Sequence, residues 1–291
     1  MINVRVGGVP EHFNLAWHHA IEKGAFENAG FKISWQDVPG GTGAMCKSLR
    51  SGELDVAIAL TEGMIADIVA GNPSRIVQFY VNSPLRWGIF VHASSHIESI
   101  SELQGKRYAI SRYQSGSHLM AYVNARDNRL AVEEKDFVLV GGLEGARKAL
   151  STSQADVFMW EKFTTKPLVD AGEFRMIGEC KSPWPCFVVA MHCGFIEKHS
   201  QCIDELLNII NLYCWMMKND AHAPDEVAQR YHIKKEDAMQ WFRELEFACS
   251  PEIDTELFQS VINELVSLHI LQRPVSPQDI CYRPHLHSAI T

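Results

Sequence analysis

The chain has 291 residues, of which 46% are hydrophobic and 21% are charged, and its formal net charge is −8 at pH 7. This length predicts one large or two modest domains, and this composition is typical of a globular protein rather than of collagen, a coiled coil or a disordered chain. A negative net charge without a long basic run argues against a nucleic-acid-binding protein. No apolar stretch of the sequence is long enough to span a bilayer.

Short runs of β-branched and aromatic residues predict ten strands in the first two thirds of the chain. They lie at residues 3–8, 31–37, 56–60, 76–81, 88–92, 107–110, 137–140, 157–160, 174–177 and 187–192. Amphipathic helices are predicted between them, at residues 14–29, 43–51, 62–70, 117–128, 144–151 and 161–170. Beyond residue 196 the pattern is helical only, at residues 204–218, 224–230, 235–246 and 254–268. The sequence therefore predicts an α/β fold with a largely parallel sheet and a helical C-terminal tail.

The positions of two predicted strands suggest how the chain divides. The strands at 88–92 and 187–192 each follow a proline-containing segment, and together they enclose a set of βα units. We therefore predict two lobes joined by two hinge crossings, with a ligand cleft between them. Lobe one is residues 1–87 plus 189–291, and lobe two is residues 88–188. The alternative is a single doubly wound sheet with decorations.

The cysteines and the first residues bear on location. Eight cysteines occur without a C-x-x-C pair, which predicts reduced thiols rather than a zinc or redox motif. The first ten residues, MINVRVGGVP, lack the pattern of a secretory signal, so a cytoplasmic location is predicted. If a leader had been removed, the location would instead be periplasmic or exported, and disulfides would be possible.

Several short motifs follow one another in an order that resembles a known family. Residues 20–26 read AIEKGAF, residues 39–43 read PGGTG, residues 49–57 read LRSGELDVA, and residues 61–63 read TEG. A predicted crossover strand, WGIFV at residues 87–91, comes next, followed by ISEL and GKR and, near residue 155, by ADV with Trp160-Glu161.

This series resembles the type II periplasmic-binding-protein fold, in the branch that contains sulfonate and nitrate binders and thiamine-pyrimidine synthase-like proteins. The closest subgroup is the unsecreted sulfonate-binder homologues of fungi and bacteria. The cysteine-rich motif of the pyrimidine synthases is missing from this chain. The resemblance implies a two-lobed protein that binds a small molecule between its lobes.

Combining the resemblance with the turn chemistry gives a set of predicted ligand-binding residues from both lobes. They are Trp17, His18, Gly41, Thr42, Thr61, Glu62, Ser111, Gln114, Ser115, Gly116, Ser117 and Trp160. Glycine and serine at helix starts leave backbone amides open to an anion or a polar group. Glu62, if it faces the ligand, favours a cationic or hydrogen-bond-donating molecule, and tryptophan offers a face for a flat ring.

Structural readings of the same residues stay open. The Gly41 turn can be a plain helix start, Arg112 a solvated side chain, and either Trp160 or Trp184 a core residue. His18 and Glu22 share a helix face, but two ligands without a third do not predict a metal site. The two tail histidines, His285 and His287, are predicted to be solvated.

The predicted function is therefore binding of a small polar or anionic, possibly heteroaromatic, molecule, in the manner of the solute-binding proteins of ABC transporters. A transporter is a possible partner; no nucleic-acid partner, cofactor or metal is predicted. Motifs of serine hydrolases, zinc proteases and P-loop proteins are missing from the sequence. The alternative is an enzyme on the same fold, resembling the thiamine-pyrimidine synthases or the menaquinone-pathway lyases and dehydratases.

Overall fold

The structure is a computed structural model that describes residues 1–287. The chain forms two compact units. Unit 1 consists of Met1–Ser83, Trp184–Val227 and the part from Met239 onward, and unit 2 consists of Pro84–Pro183 with Ala228–Ala238. The boundaries predicted from the sequence, after residues 87 and 188, fall inside strands. The helical segment 228–238, predicted in lobe one, is packed with unit 2.

Each predicted strand is present, and two short ones are added near the C-terminus. The strands are β1 Ile2–Gly8, β2 Phe31–Asp37, β3 Val56–Leu60, β4 Ser74–Val81, β5 Arg86–His92, β6 Tyr108–Ile110, β7 Phe137–Leu139, β8 Val157–Glu161, β9 Phe174–Lys181, β10 Phe187–His192, β11 Ile253–Asp254 and β12 Leu286–His287. The first ten strands form two five-stranded sheets, so the alternative of a single doubly wound sheet is wrong.

The helices of the described chain follow the predicted order with three exceptions. They are α1 Leu15–Glu22, α2 Ala25–Asn28, α3 Gly41–Arg50, α4 Thr61–Val69, α5 Gly116–Asp127, α6 Leu143–Ser151, α7 Lys162–Asp170, α8 Cys193–His199, α9 Ile203–Lys218, α10 Ala223–Tyr231, α11 Lys235–Glu244, α12 Thr255–Ser267 and α13 Pro277–Ile280. The helix predicted over residues 14–29 is broken at Gly24, which has a φ of 67°. Helices α8 and α13 were not predicted. Within residues 1–287, no helix is long and apolar enough to cross a membrane.

The two sheets have the same internal order. In unit 1 the order is β2-β1-β3-β10-β4, and in unit 2 it is β7-β6-β8-β5-β9. Four of the five strands of each sheet run in the same direction, and the fifth, β10 or β5, runs antiparallel to both of its neighbours. The predicted largely parallel arrangement is therefore present in each sheet, with one reversed strand that was not predicted. Strand β3 is buried along most of its length, as expected for a strand covered on both faces.

In each unit, an equivalent Arg–Asp ion pair links two neighbouring strands of the sheet. In unit 1 the Asp55 carboxylate accepts hydrogen bonds from the Arg5 backbone N–H at 2.8 Å and from the guanidinium at 2.9 and 2.6 Å. In unit 2 Asp156 accepts the corresponding bonds from Arg107 at 2.9, 2.9 and 2.8 Å. Hydrogen bonds from Arg107 hold the pKa of Asp156 below its usual range. The two units therefore repeat one structural pattern, which a pair of short Asp-Val motifs marks in the sequence.

Breaking this ion pair in unit 2 is expected to destabilise that unit. Asp156→Asn removes the charge while keeping the shape, and we expect the free energy of unfolding to fall by about 1 kcal/mol, because both partners are partly exposed. Urea unfolding with hydrogen exchange of the β6 amides measures the loss. Glu144→Gln is the control, since the Glu144 side chain is 80% exposed in its pair with Arg147. An equal loss in both variants would contradict the expectation.

The C-terminal tail of unit 1 lies along β4, an edge strand of the unit 1 sheet. The Tyr282 N–H donates to the Ile76 carbonyl at 2.8 Å. The His285 ring bonds the Val77 carbonyl at 2.6 Å and the Asp204 carboxylate at 2.7 Å. His285 is only 5% exposed, so its predicted solvation was wrong, while the His287 side chain lies outside the described part. The tail therefore covers a sheet edge that would otherwise be open.

All eight cysteines are free thiols, as predicted, and five of them are buried. In a globular core a free cysteine packs as a small apolar side chain.

Candidate functional site

The candidate site residues gather where parallel strands end. The carboxyl ends of parallel strands lie at one edge of a sheet, and this edge is a common place for ligands in α/β proteins. We call the ends of β1, β2 and β3 with the turns that follow them the unit 1 edge. The ends of β6, β7 and β8 with their turns are the unit 2 edge.

The unit 1 edge is built around the start of α3. Gly40 precedes the helix and supplies no side-chain cap, and Gly41 has a φ of 66°, a backbone conformation that favours glycine. The Gly41 N–H donates to the Val38 carbonyl at 3.0 Å, and the N-cap residue Gly40 makes no side-chain hydrogen bond to the first helical turn. Backbone amides at a helix start attract an anion or a polar oxygen.

Thr42 joins this helix start to the next one. Its hydroxyl accepts a hydrogen bond from the Leu60 N–H at 3.0 Å, at the end of β3. A Cβ placed on Gly63, in the first turn of α4, would lie 2.8 Å from the Thr42 Cγ2, so α3 and α4 begin in close contact. The predicted residues Gly41, Thr42, Thr61 and Glu62 are therefore brought together.

Thr61 and Glu62 form hydrogen bonds with residues 184–186, where the chain returns to unit 1 after the strands of unit 2. The Thr61 hydroxyl donates to the Pro185 carbonyl at 2.5 Å, and the Thr61 N–H donates to the Cys186 carbonyl at 3.0 Å. The Trp184 indole N–H donates to the Glu62 carboxyl at 2.8 Å. Glu62 is only 2% exposed, and burial raises its pKa to about 7. The carboxyl is held inside unit 1, so it does not offer the open negative charge that the sequence suggested.

The serine-rich turn of the unit 2 edge uses its own hydroxyls. The Ser111 N–H donates to the Ser117 hydroxyl at 3.0 Å, and the Ser115 hydroxyl donates to the Arg112 carbonyl at 2.7 Å. The Ser115 oxygen also caps α5 by accepting from the His118 N–H at 3.4 Å. Ser115 and Ser117 are buried, whereas Gly116 is half-buried. The two hydroxyls therefore shape this turn and cap the helix that follows it.

Gln114 and His118 complete this turn. Gln114 is exposed and has a φ of 62°, and its N–H donates to the His118 Nδ1 at 3.0 Å. Because Nδ1 accepts, the neutral imidazole carries its proton on Nε2, a buried atom without a partner in the described chain. Burial lowers the pKa of His118 to about 4, which keeps the ring neutral near pH 7. This hydrogen-bonding role of His118 was not predicted from the sequence.

A second glycine turn in unit 2 was missed from the sequence. Gly141 and Gly142 come directly before α6, as a Gly-Gly pair also stands at the start of α3. The N-cap residue Gly142 makes no side-chain cap hydrogen bond. The Gly141 N–H donates to the Ser111 carbonyl at 3.2 Å, so this turn lies beside the serine-rich turn. The repeated Gly-Gly pair could have indicated this turn from the sequence. Its meaning becomes clear only when the two sheets are known to have the same strand order.

Trp160 and Glu161 form the third part of the unit 2 edge. Trp160 is half-buried and stacks on Phe158 with ring centroids 5.3 Å apart. Glu161, which follows it, is 3% exposed and accepts from the Thr164 N–H at 2.6 Å, thereby capping α7. Burial raises the pKa of Glu161 to about 7. The third junction of each edge therefore contains one buried carboxyl group.

The two remaining predicted residues lie on α1. Trp17 is fully buried and stacks with Phe26 and Trp35, at centroid distances of 5.5 and 6.0 Å. His18 is half-buried and meets the Trp35 ring edge-on at 5.0 Å. Trp17 is therefore a core residue of unit 1, and we leave it out of the site proposed below.

Comparison with known proteins gives a partial match to a family profile and a shared fold. Residues 87–180, which lie in unit 2, match the profile of the family described as Ca3427-like PBP. A search of curated proteins found no match.

Solved structures are similar over nearly the whole chain. The CA3427 gene product of Candida albicans, described as defining a family with the generic periplasmic binding protein fold, has a TM-score of 0.88 at 24% identity, over 99% of this chain and 97% of its own. The alkanesulfonate-binding protein SsuA of Xanthomonas axonopodis pv. citri, bound to MOPS, has a TM-score of 0.78 at 15% identity, over 99% of each chain. The aliphatic sulphonate-binding SsuA of Escherichia coli has a TM-score of 0.69 at 14% identity, over 100% of this chain and 95% of its own.

Proposed function

We propose that this chain, which has the periplasmic-binding-protein fold, binds a small solute with an anionic group through the turns of its unit 1 and unit 2 edges. The observation that carries the proposal is the uncapped start of α3, where Gly40 and Gly41 leave backbone amides open beside the Thr42 anchor. The start of α6 repeats this arrangement in unit 2. The cleft between lobes predicted from the sequence is kept as part of the proposal.

The state of the buried carboxyls supports an anionic solute. Glu62 and Glu161 have pKa values raised to about 7, so below that pH both edges hold neutral acids instead of carboxylates. A neutral acid removes the repulsion that a buried carboxylate would exert on an anion. Above that pH the repulsion returns, and the affinity for an anion should fall.

A sulfonate is the anion class we favour. The two SsuA proteins with this fold are described as binding alkanesulfonates or aliphatic sulphonates, one of them with MOPS bound. Amides at a helix start suit the three oxygens of a sulfonate, which accept hydrogen bonds without needing a buried cation. A transporter remains the proposed partner. The cytoplasmic location predicted from the sequence also stays a prediction, which cell fractionation can test.

Calorimetric titration with ethanesulfonate and MOPS tests the proposal. We expect saturable binding and a raised melting temperature, because a ligand of the native state stabilises it. Gly43→Asp places a charge in the first turn of α3, where it suits the helix dipole but repels an anion, and should weaken binding about tenfold or more. Gly43→Asn is the matched neutral control. Gly116→Asp and Gly116→Asn form the same pair in unit 2.

Two results would contradict the whole proposal, and a third would contradict part of it. If Asp and Asn variants bound both sulfonates equally, the helix starts would not contact the anion. If affinity for the sulfonate probes rose between pH 6 and pH 8, the buried carboxyls would not repel the bound anion, and the bound group would lie elsewhere. If only the unit 1 pair changed binding, the part of the proposal that involves unit 2 would be wrong.

A further inference from the structure

Unit 1 contains a cavity at the opposite end of its sheet from the unit 1 edge. The cavity has a volume of about 400 Å³ and lies where the C-terminal tail meets the beginning of β4 and helix α8. Arg75 is the second residue of β4, and Cys193 comes directly after the antiparallel β10. Both therefore lie at the amino ends of the parallel strands, away from Thr42 and Glu62. A cavity of this size can hold a small organic molecule.

Arg75 is the main polar group of this cavity. It is half-buried, and its guanidinium donates one hydrogen bond, at 2.9 Å, to the carbonyl of the neighbouring Ser74. No carboxylate of the described chain pairs with it. A guanidinium carries five N–H donors, so most of them remain available to a bound group. Burial raises the pKa of the Cys193 and Cys281 thiols, and the positive charge of Arg75 partly offsets this rise. Both thiols therefore lie close to Arg75.

The rest of the lining defines what could be bound. Arg283 adds a second guanidinium, which donates to the Gln278 carbonyl at 3.2 Å. Tyr282 supplies an aromatic ring, and Ile196 and Pro284 supply apolar surface. Glu197 and Asp279 also line the cavity, but both are exposed and solvated. The charges of the two arginines and the two carboxylates in the lining cancel, so the cavity has no excess positive charge for a polyanion. A monoanion can instead pair with Arg75, which is less exposed than Arg283.

We propose that this cavity is a second binding site, for an organic monoanion that combines a carboxylate or similar oxyanion with an apolar or aromatic group. The oxyanion would bind Arg75 and Arg283, and the apolar group would lie against Tyr282 and Ile196. Arginine suits this task because its planar guanidinium binds a carboxylate through two parallel hydrogen bonds. The site does not depend on the proposed sulfonate function, because it uses none of the same residues.

Cys193 provides a local measurement of occupancy. Its side chain is half-buried in the lining, so a bound molecule should protect it from N-ethylmaleimide. Benzoate is the probe, and benzyl alcohol is its neutral counterpart. At a benzoate concentration of twice the dissociation constant, two thirds of the sites are filled, so the labelling rate of Cys193 should fall about threefold. Peptide mass spectrometry reads the rate, with the half-buried Cys202 as the internal control.

Arg75→Gln should abolish the protection while leaving the labelling of Cys202 unchanged. If this variant does not fold, Arg75→Lys replaces it; lysine keeps the charge but loses the two-pronged geometry, so protection should weaken. The proposal is overturned if benzoate does not protect Cys193, or if benzyl alcohol protects it equally. It is also overturned if Cys202 is protected to the same extent, or if the Arg75 variant retains full protection.

Discussion

Glu62→Gln is expected to remove a pH dependence of about 2.5 kcal/mol from the stability of unit 1 between pH 5 and pH 8. Burial raises the pKa of Glu62 from its ordinary 4.5 to about 7. In the unfolded chain the carboxyl ionises near 4.5, whereas in the native state it keeps its proton up to about 7. The stabilisation is therefore fully present below pH 4.5 and is lost as the pH rises through 7.

Urea unfolding of both proteins at several pH values measures this effect. The glutamine keeps an oxygen that can accept from the Trp184 indole, so the variant isolates the charge from the hydrogen bond. We expect the variant to be the more stable protein at pH 8, with little difference at pH 5. Glu27→Gln, at an exposed site on α2, is the control and should keep the wild-type slope. Parallel pH profiles for the wild type and Glu62→Gln would show that Glu62 ionises normally.

Gly145→Ala is expected to destabilise unit 2 by about 3 kcal/mol or more, because backbone atoms stand where the new methyl group would go. A Cβ on Gly145 would lie 1.8 Å from the Val140 carbonyl oxygen. That carbonyl belongs to the turn between β7 and α6, and the Val140 N–H is bonded to Ile110 at 2.9 Å, so the turn is held in place. Helix α6 would have to move away from the sheet.

Gly142→Ala is the matched control for this substitution. It lies three residues earlier, its φ of 171° is extended backbone that any residue adopts, and nothing lies within 4 Å of the added Cβ. We expect its free energy of unfolding to stay within about 0.5 kcal/mol of the wild type. Urea unfolding followed by hydrogen exchange in β6 and β8 separates the two variants. If they lost equal stability, the close approach of α6 to Val140 would not matter.

Much of the local structure could be predicted because it depends on nearby residues. The ten strands and most helices were found from the period of apolar residues, and the α/β fold and the resemblance to type II periplasmic-binding proteins are confirmed. The mixed order of each sheet was not predicted, since strand pairing joins residues far apart in sequence. The same reason hid the burial of His285, whose partners are Val77 and Asp204.

The candidate site was predictable only at its turns. Gly41, Thr42, Thr61 and Glu62 lie together because each follows a parallel strand of one sheet, which the glycine and threonine at helix starts could indicate. The direction of the Glu62 carboxyl was not predictable, because it depends on Trp184, a residue more than one hundred positions away. The second glycine turn, at Gly141, needed the repeated sheet order to be recognised.

The place of β10 in the unit 1 sheet sets the order in which the chain can fold during synthesis. β10 lies between β3 and β4, yet it is made after all five strands of unit 2. Until residues Phe187–His192 leave the ribosome, β4 has no strand to join it to β3. Unit 2, whose strands run without interruption from Arg86 to Lys181, can complete its sheet first. Strands β1 to β4 must therefore wait, partly paired, for the last central strand of their sheet, which reverses the usual order in which domains fold as they emerge.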